Sequence, residues 1–195
     1  MGVVLFIILI AGVSYAWFTW TSTNVNIQGT TECFNVNYSH GQVIDNASVI
    51  LFDENKIISN NKVTVKNGMA MADVTAYMDS NCNIAANIEL ILDVTDLNNA
   101  YISGQSVGAF KYVLASYDPS VYTDVTVTSL NGTQLDIVKK DSITSTGSIT
   151  LVDEVLTSTK KGYIILFYVD GDLAMNDAEY STFSATISGV ATQTE

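Results

Sequence analysis

The first twenty residues constrain the fold of this chain more than any other stretch. Residues 1–20 contain no charged side chain, and the first charge in the chain is Glu32. Twenty residues in a helix span roughly 30 Å, the thickness of the hydrocarbon core of a bilayer. A helix that is apolar on every side lies in lipid, is cleaved off, or packs among other apolar helices. The sequence therefore predicts a hydrophobic N-terminal helix over residues 1–20, serving as an assembly core, an anchor or a signal.

Each of these three fates has its own sequence signal. A secretory signal would be cut after Ser14-Tyr15-Ala16, where small residues stand three and one before the cut, but the usual basic start is missing. An anchor would use the aromatic residues Trp17, Phe18 and Trp20 at the membrane–water interface. A filament core would use Gly12 and Ala16, whose small side chains let two helix backbones approach closely. We expect the stretch to be retained.

The retained helix would act through its apolar side chains. Those expected to form its packed surface are Val3, Val4, Leu5, Phe6, Ile7, Ile8, Leu9, Ile10, Gly12, Ala16, Trp17, Phe18 and Trp20.

The charge balance restricts the possible partners. The chain carries 20 acidic and 8 basic residues, a formal net charge of −12. Such a surface repels the phosphates of nucleic acid and anionic lipid headgroups, and it keeps a secreted protein soluble. We therefore expect no nucleic-acid partner.

The remaining sequence has the alternation of β-strands. Apolar residues occupy every second position from Ile84 to Val94, whereas Tyr163 to Val169 is apolar on both faces, as in a central strand. Turn signals at Asn67-Gly68 and Asn131-Gly132 predict hairpins, the first over residues 62–76. Residues 121–127 also alternate and predict a strand.

Counted along the chain, these patterns predict nine to eleven short strands and no amphipathic helix of ordinary length. The fold class expected is all-β, a β-sandwich or jelly-roll head over residues 33–195. Residues 21–32 would be an extended linker or a donor strand between the helix and this head.

The two cysteines, Cys33 and Cys82, indicate a disulfide, because the chain begins with an export-type segment. The alternative is a pair of buried free thiols. Neither cysteine belongs to a CxxC pair, so the sequence gives no support for zinc or thioredoxin-like redox chemistry.

Residues that would carry catalysis are scarce. His40 is the only histidine, and no nucleophile elbow, phosphate-binding loop or zinc-protease motif occurs. The acidic pairs, among them Asp170-Gly171-Asp172, and the lysine pairs Lys139-Lys140 and Lys160-Lys161 are expected in solvated turns. We expect no enzyme activity, no cofactor and no metal. Glycosylation sequons begin at Asn37, Asn46 and Asn131.

Three stretches carry a resemblance to known proteins. Residues 14–20, Ser-Tyr-Ala-Trp-Phe-Thr-Trp, together with Cys33-Phe34 and residues 168–173, resemble exported proteins of Firmicutes-type bacteria, and more distantly the TasA/camelysin proteins. That resemblance implies matrix fibres in which Trp17 to Ile27, freed by cleavage near Ala16, pairs with the neighbouring subunit. An apolar helix before a β-rich head also resembles type IV pilins and archaellins, although position 5 is Leu5 where bacterial type IV pilins have glutamate.

The function expected from the sequence is that of a pilin-like structural subunit at the cell surface or outside the cell. The chain would pass through the membrane and then polymerise with its own copies, with the helix inside and the β-sandwich outside. The alternatives are a membrane-tethered adhesion module that binds a host or surface ligand, as in a biofilm, and the TasA-like donor-strand fibre. An extracellular hydrolase would need two converging carboxylates in a cleft.

Overall fold

The computed structural model describes residues 20–22, 36–39, 43–48, 50–78, 85–156, 160–178 and 182–194. Within these ranges the chain is mostly β-strand, which confirms the all-β prediction. The strands are β1 (Trp20–Ser22), β2 (Val36–Ser39), β3 (Val43–Ser48), β4 (Leu51–Phe52), β5 (Ile58–Ser59), β6 (Lys62–Thr64), β7 (Ala70–Met78), β8 (Ala85–Leu97), β9 (Phe110–Tyr117), β10 (Gln134–Ser142), β11 (Gly147–Leu156), β12 (Lys161–Asp170) and β13 (Thr182–Thr194).

Helical structure in the described ranges is limited to single turns. These are α1 (Glu54–Ile57), α2 (Asn99–Ile102) and a 3-10 turn at Asn176–Ala178. Asp53 caps α1 by accepting a hydrogen bond from the Asn55 N–H at 3.0 Å, and Asn98 caps α2 in the same way. No helix in this part of the chain has the length and apolar character needed to cross a membrane.

The strands form two sheets. The smaller has the order β1-β13-β8-β11, and β3 also pairs with β13. The larger has the order β2-β7-β12-β9-β10-β6-β5, and β4 runs parallel to the end of β12. The two longest strands, β8 and β13, pair with each other from Phe183↔Leu97 to Thr194↔Ala85.

An apolar core lies between the two sheets. The small sheet contributes the predicted alternating residues of β8, from Ile88 to Val94, which are at most 1% exposed. The large sheet contributes Phe110 and Phe167, whose rings stack near Phe183 of β13 with centroids 4.8–6.3 Å apart. This burial of alternate residues on facing sheets supplies most of the folding free energy.

A second apolar core covers the opposite face of the large sheet. Val113 of β9 and Ile164 and Leu166 of β12 are fully buried there. They pack under the segment from Ile57 to Met69 and under the loop that follows β9, from which Leu130 is also buried. β12 is therefore buried on both faces, as the continuous apolar run predicted.

The hairpin predicted over residues 62–76 is wrong, although its turn exists. Gly68 has φ +96°, the left-handed backbone that the Asn-Gly pair favours. However, β6 pairs with β10, whereas β7 pairs with β12 and β2. The turn thus takes the chain from β6, near one end of the large sheet, to β7, near its other end. Val63 and Val65 before the turn are buried in the second core.

Two further expectations need correction. Residues 121–127 form turns and not a strand, and their apolar side chains Val125 and Val127 pack against the second core from a loop. Trp20, which the sequence placed in the N-terminal helix, begins strand β1, paired with Ala191 of β13. The other helix positions lie outside the described residues, as do Cys33, Cys82 and His40.

Candidate functional site

The described part of the chain contains two clusters of polar residues on the large sheet. We call the first the Lys111 cluster; it comprises Glu54, Lys111, Lys140, Tyr168 and Asp170. We call the second the Tyr117 pocket; it is lined by Asp73, Thr75, Tyr117, Pro119, Tyr122, Thr123, Asp124, Val125 and Lys160.

The Lys111 cluster is centred on a half-buried lysine. Lys111 Nζ lies 2.7 Å from Oδ2 of Asp170 and also donates to Glu54. Lys140 Nζ lies 2.6 Å from the other oxygen of Glu54. Lys111 is in β9, Lys140 in β10 and Asp170 at the end of β12, so the ion pairs link three strands to α1.

These contacts determine the charge states in the cluster. Partial burial raises the pKa of Glu54, but hydrogen bonds and charges from Lys111 and Lys140 outweigh this and lower it to about 2. Burial opposes the charge of Lys111, yet Asp170 and Glu54 raise its pKa above the usual value. Burial, with the negative charge of Glu54, raises the pKa of Tyr168. Each lysine is therefore matched by a carboxylate, and the cluster fixes α1 on the sheet.

A small cavity of about 200 Å³ opens beside this cluster, lined by Glu54, Lys111, Tyr112, Lys140, Asp141, Ser142 and Tyr168. Its lysines are already engaged by Glu54 and Asp170. The charges in the cavity thus compensate one another, which favours a structural role for these residues.

The Tyr117 pocket is larger, with a volume of about 420 Å³. Its floor is the outer face of the large sheet, where Thr75 of β7, Gly162 of β12 and Tyr117 of β9 stand side by side in register. The ring of Tyr117 lies over Gly162: a β-carbon built there would be 2.4 Å from the ring. Glycine at 162 therefore allows the tyrosine to lie against the sheet.

Two of the polar residues in the floor of this pocket are buried. Asp73 is 7% exposed and Thr75 is 5% exposed. Both lie on the side of β7 opposite Val74, which is buried in the core between the two sheets. Burial and the nearby Asp73 carboxylate raise the pKa of Tyr117 to about 12, so its hydroxyl is protonated at neutral pH.

The wall of the pocket is the loop after β9, and hydrogen bonds within the loop hold it in place. Asp118 accepts hydrogen bonds from the Ser120 N–H at 2.9 Å and from its hydroxyl at 2.7 Å. The Ser129 hydroxyl donates to the Asp124 carbonyl at 2.7 Å. Tyr122 and Val125 also pack against the second core. The wall is consequently a folded structure and not an extended surface loop.

The structure places the residues singled out in the sequence as follows. Asn37 lies in β2 and Asn46 in β3, whereas Asn131 is exposed in a turn and its side-chain oxygen accepts a hydrogen bond from the Asn67 N–H at 3.1 Å. The cysteines and residues 1–19 are outside the described ranges. The described residues contain no group of three or more His, Cys, Asp or Glu side chains placed to hold a metal ion.

Several charged residues expected in solvated turns have other positions. Lys139 and Lys140 lie within β10, and Lys161 begins β12, where it pairs with Glu154 at 2.9 Å. Asp170 does precede a turn, but it is 5% exposed and ion-paired. A lysine at position 111 between Phe110 and Tyr112 of an apolar strand was the sequence signal for a buried partner.

No known protein family matches the chain, and no curated protein is detectably similar to it in sequence.

Proposed function

We propose that this protein is a pilin-like structural subunit of an extracellular filament, in which the N-terminal helix packs in the filament core and a β-sandwich head faces outward. The observation that carries the proposal is the uncharged stretch of residues 1–20, whose last residue, Trp20, begins β1, an edge strand of the head. Apolar burial of about 1.5 kcal/mol or more per side chain would drive assembly against the entropic cost of association.

The head itself supports this division of roles. Most of its described apolar residues are enclosed in two cores, between the sheets and under the loops of the large sheet, although a few, among them Leu51 and Val121, are exposed. Most outward positions of β8 are polar: Asn87 donates a hydrogen bond to Asp153 of β11, and Glu89 and Asp93 accept hydrogen bonds from Thr150 and Ser148 of β11. In the sequence, residues 1–20 are the longest apolar stretch, and burial of their side chains is what the proposed filament core would supply.

The junction between stretch and head is a paired strand. Trp20, Thr21 and Ser22 pair with Ala191, Val190 and Gly189 of β13, so the chain leaves the apolar stretch already hydrogen-bonded to the small sheet. In the proposed filament, such a paired junction would hold the head in a fixed orientation relative to the N-terminal helix. Subunits that share one orientation are what a regular helical filament requires.

The same pairing favours a second candidate, the TasA-like donor-strand fibre. β1 and β3 share the edge of β13, with β3 opposite Thr182 to Thr186 and β1 opposite Gly189 to Ala191. After cleavage near Ala16, a strand beginning at Trp17 could occupy this edge in the neighbouring copy and satisfy its unpaired backbone groups. The two candidates differ in whether residues 1–16 remain in the polymer.

The experiment is assembly of the purified full-length chain. The protein is held in detergent, the detergent is removed, and the product is examined by negative-stain electron microscopy and N-terminal sequencing. We expect filaments whose subunits begin at or near Met1. Leu9→Lys should abolish them, because a charge in an apolar helical core is strongly disfavoured, whereas Leu9→Met should assemble normally.

Other outcomes would reject the helical core. Filaments whose subunits begin at Trp17 would establish the donor-strand fibre instead. Protein that stays monomeric and is recovered only in detergent-solubilised membranes would establish a tethered module. Circular dichroism of the Leu9→Lys chain separates failed assembly from a misfolded head.

A further inference from the structure

The Tyr117 pocket brings together three kinds of chemical group on the outer face of the large sheet. It has the aromatic rings of Tyr117 and Tyr122, the carboxylates of Asp73 and Asp124, and the ammonium of Lys160. Its volume of about 420 Å³ is within the range of small-molecule sites. The sheet positions of Asp73 and Thr75 in its floor are polar although less than 10% exposed, and both residues also have interactions within the chain.

The mixture of donors and acceptors determines which ligand would fit. Carboxylates only accept hydrogen bonds, an ammonium only donates, and the hydroxyls of Thr75 and Thr123 do both. A hydroxyl group on the ligand can satisfy each of these. A carboxylate offers about four acceptor positions, so Asp73 can bind a ligand and retain contacts within the chain.

A charged ligand fits less well. An anion would be repelled by the carboxylates of Asp73 and Asp124. A cation would be repelled by the ammonium of Lys160, whose Nζ lies 5.7 Å from the centre of the Tyr77 ring. A neutral ring with hydroxyl groups at its edge and apolar C–H faces avoids both repulsions. Its faces would pack on the tyrosine rings.

We propose that the Tyr117 pocket is a carbohydrate-binding site that takes one sugar unit of a neutral glycan. The ring of Tyr122 in the loop wall and the small accessible part of Tyr117, which is 8% exposed over Gly162, provide the aromatic surface, and Asp73 and Thr75 on β7 accept from the ring hydroxyls. Asp124, Thr123 and Tyr122 contact the sugar from the loop wall. The site is independent of how the subunits polymerise, and it would give a filament of such subunits many copies of one weak binding site.

The test measures binding of neutral sugars to the full-length protein in detergent. Glucose, galactose, N-acetylglucosamine and their disaccharides are titrated by isothermal calorimetry and by saturation-transfer NMR, with tetramethylammonium chloride and sodium sulfate as charged probes. We expect at least one neutral sugar to bind and neither charged probe to bind.

Three variants locate the site. Asp73→Asn keeps the shape of a buried side chain and removes its charge. Asp124→Ala and Tyr122→Ala alter the loop wall. Each variant should lower the affinity for the sugar about tenfold or more, because it loses either a hydrogen bond to a charged group or a stacked aromatic ring. The matched control is Asp96→Asn, an exposed aspartate of β8 on the small sheet, which should bind the sugar as the unaltered chain does.

The proposal is overturned if no sugar in the panel binds at millimolar concentration, if a charged probe binds in preference, or if the pocket variants bind as tightly as Asp96→Asn. Thermal unfolding of the variants tests whether the head is intact; Asp124→Ala decides if Tyr122→Ala is destabilised, because Asp124 lies outside the strands whereas Tyr122 packs against the second core. Filament assembly should be unchanged in all four variants, which distinguishes failure of this site from failure of the filament proposal.

Discussion

Lys111 Nζ lies 2.7 Å from Asp170 Oδ2, and the two side chains are only 18% and 7% exposed. The pair connects the beginning of β9 to the end of β12, and the contact of Lys111 with Glu54 brings α1 to the same point. A half-buried lysine thus fixes the segment that covers the second core. The consequences for stability can be measured.

Lys111→Met should destabilise the head by roughly 3–5 kcal/mol, because methionine keeps the length of the side chain but leaves the Asp170 carboxylate buried without its partner. The measurement is the free energy of unfolding in urea. The matched control is Lys62→Met, which breaks the ion pair between Lys62 and Asp136. These side chains are 42% and 69% exposed, so this substitution should lower the free energy of unfolding by less than about 1 kcal/mol.

Equal losses for the two lysine variants would contradict a special role of the buried pair. A second check is the double variant Lys111→Met with Asp170→Asn, which also removes the unpaired charge. It should recover part of the stability lost by Lys111→Met alone, and a purely additive result would argue against direct coupling.

Stability should fall in acid through Glu54. Its carboxyl has a pKa of about 2 in the folded chain against 4.5 ordinarily, so the folded state binds the proton less well than the unfolded state. The stabilisation, about 3 kcal/mol, is fully present above pH 4.5 and is lost as the pH falls towards 2. Urea unfolding from pH 6 to 2 measures this, and Glu54→Gln should flatten the profile in that range.

At alkaline pH, the stability contributed by Lys111 should fall as the pH rises. The pKa of Lys111 is raised above its ordinary value of 10.5, so its contribution to the free energy of unfolding is fully present below pH 10.5 and is lost at higher pH.

For the acid range, a stability profile unchanged by Glu54→Gln would show that other carboxylates dominate the titration.

The strands that bury one or both faces could be predicted from the sequence, because period two and continuous apolar runs follow directly from sheet geometry. The β8 alternation and the doubly buried β12 are examples. Strand pairing could not be predicted. Asn67-Gly68 specifies a turn, but whether β6 then pairs with β7 or with β10 depends on the second core, in which Val63 is buried with residues far away in sequence.

The candidate sites could not be predicted for a related reason. Asp73 and Thr75 alternate with apolar residues, the usual pattern of a strand with one solvated face. Only the loop after β9, folded back over that face, makes them part of a pocket. Local periodicity contains no information about which distant segment covers a sheet.

Gly162→Ala should both destabilise the head and lower the affinity of the Tyr117 pocket for the sugar. The added methyl group would stand 2.4 Å from the Tyr117 ring, so the ring must move, at a cost of about 1–3 kcal/mol. Urea unfolding and sugar titration measure the two effects. Gly171→Ala is the control, because its methyl group would meet its nearest neighbour, the Phe52 carbonyl oxygen, at 3.5 Å, an ordinary contact. Equal stability of the two variants would contradict the close fit of Tyr117 on Gly162.

If the protein is exported as proposed, Cys33 and Cys82 should form a disulfide. Closing a loop of about 50 residues stabilises a fold by roughly 4 kcal/mol through the chain entropy removed from the unfolded state. Peptide mass spectrometry without reduction should find the two cysteine peptides joined, and dithiothreitol should lower the urea midpoint. Two free thiols in protein purified from the cell exterior would contradict the prediction.

The pairing of β1 with β13 allows a direct decision between the two assembly mechanisms. Thr21 and Val190 are directly opposite in the antiparallel register, so the double variant Thr21→Cys with Val190→Cys brings two cysteines within disulfide distance. Thr21→Cys with Ser188→Cys, displaced two residues along β13, is the matched control and should crosslink poorly. A helical-core filament keeps the first crosslink within each chain, so the dissolved polymer runs as a monomer on a non-reducing gel. A donor-strand fibre makes the same bond between neighbours and yields a ladder, because β1 of each copy then lies on β13 of the next.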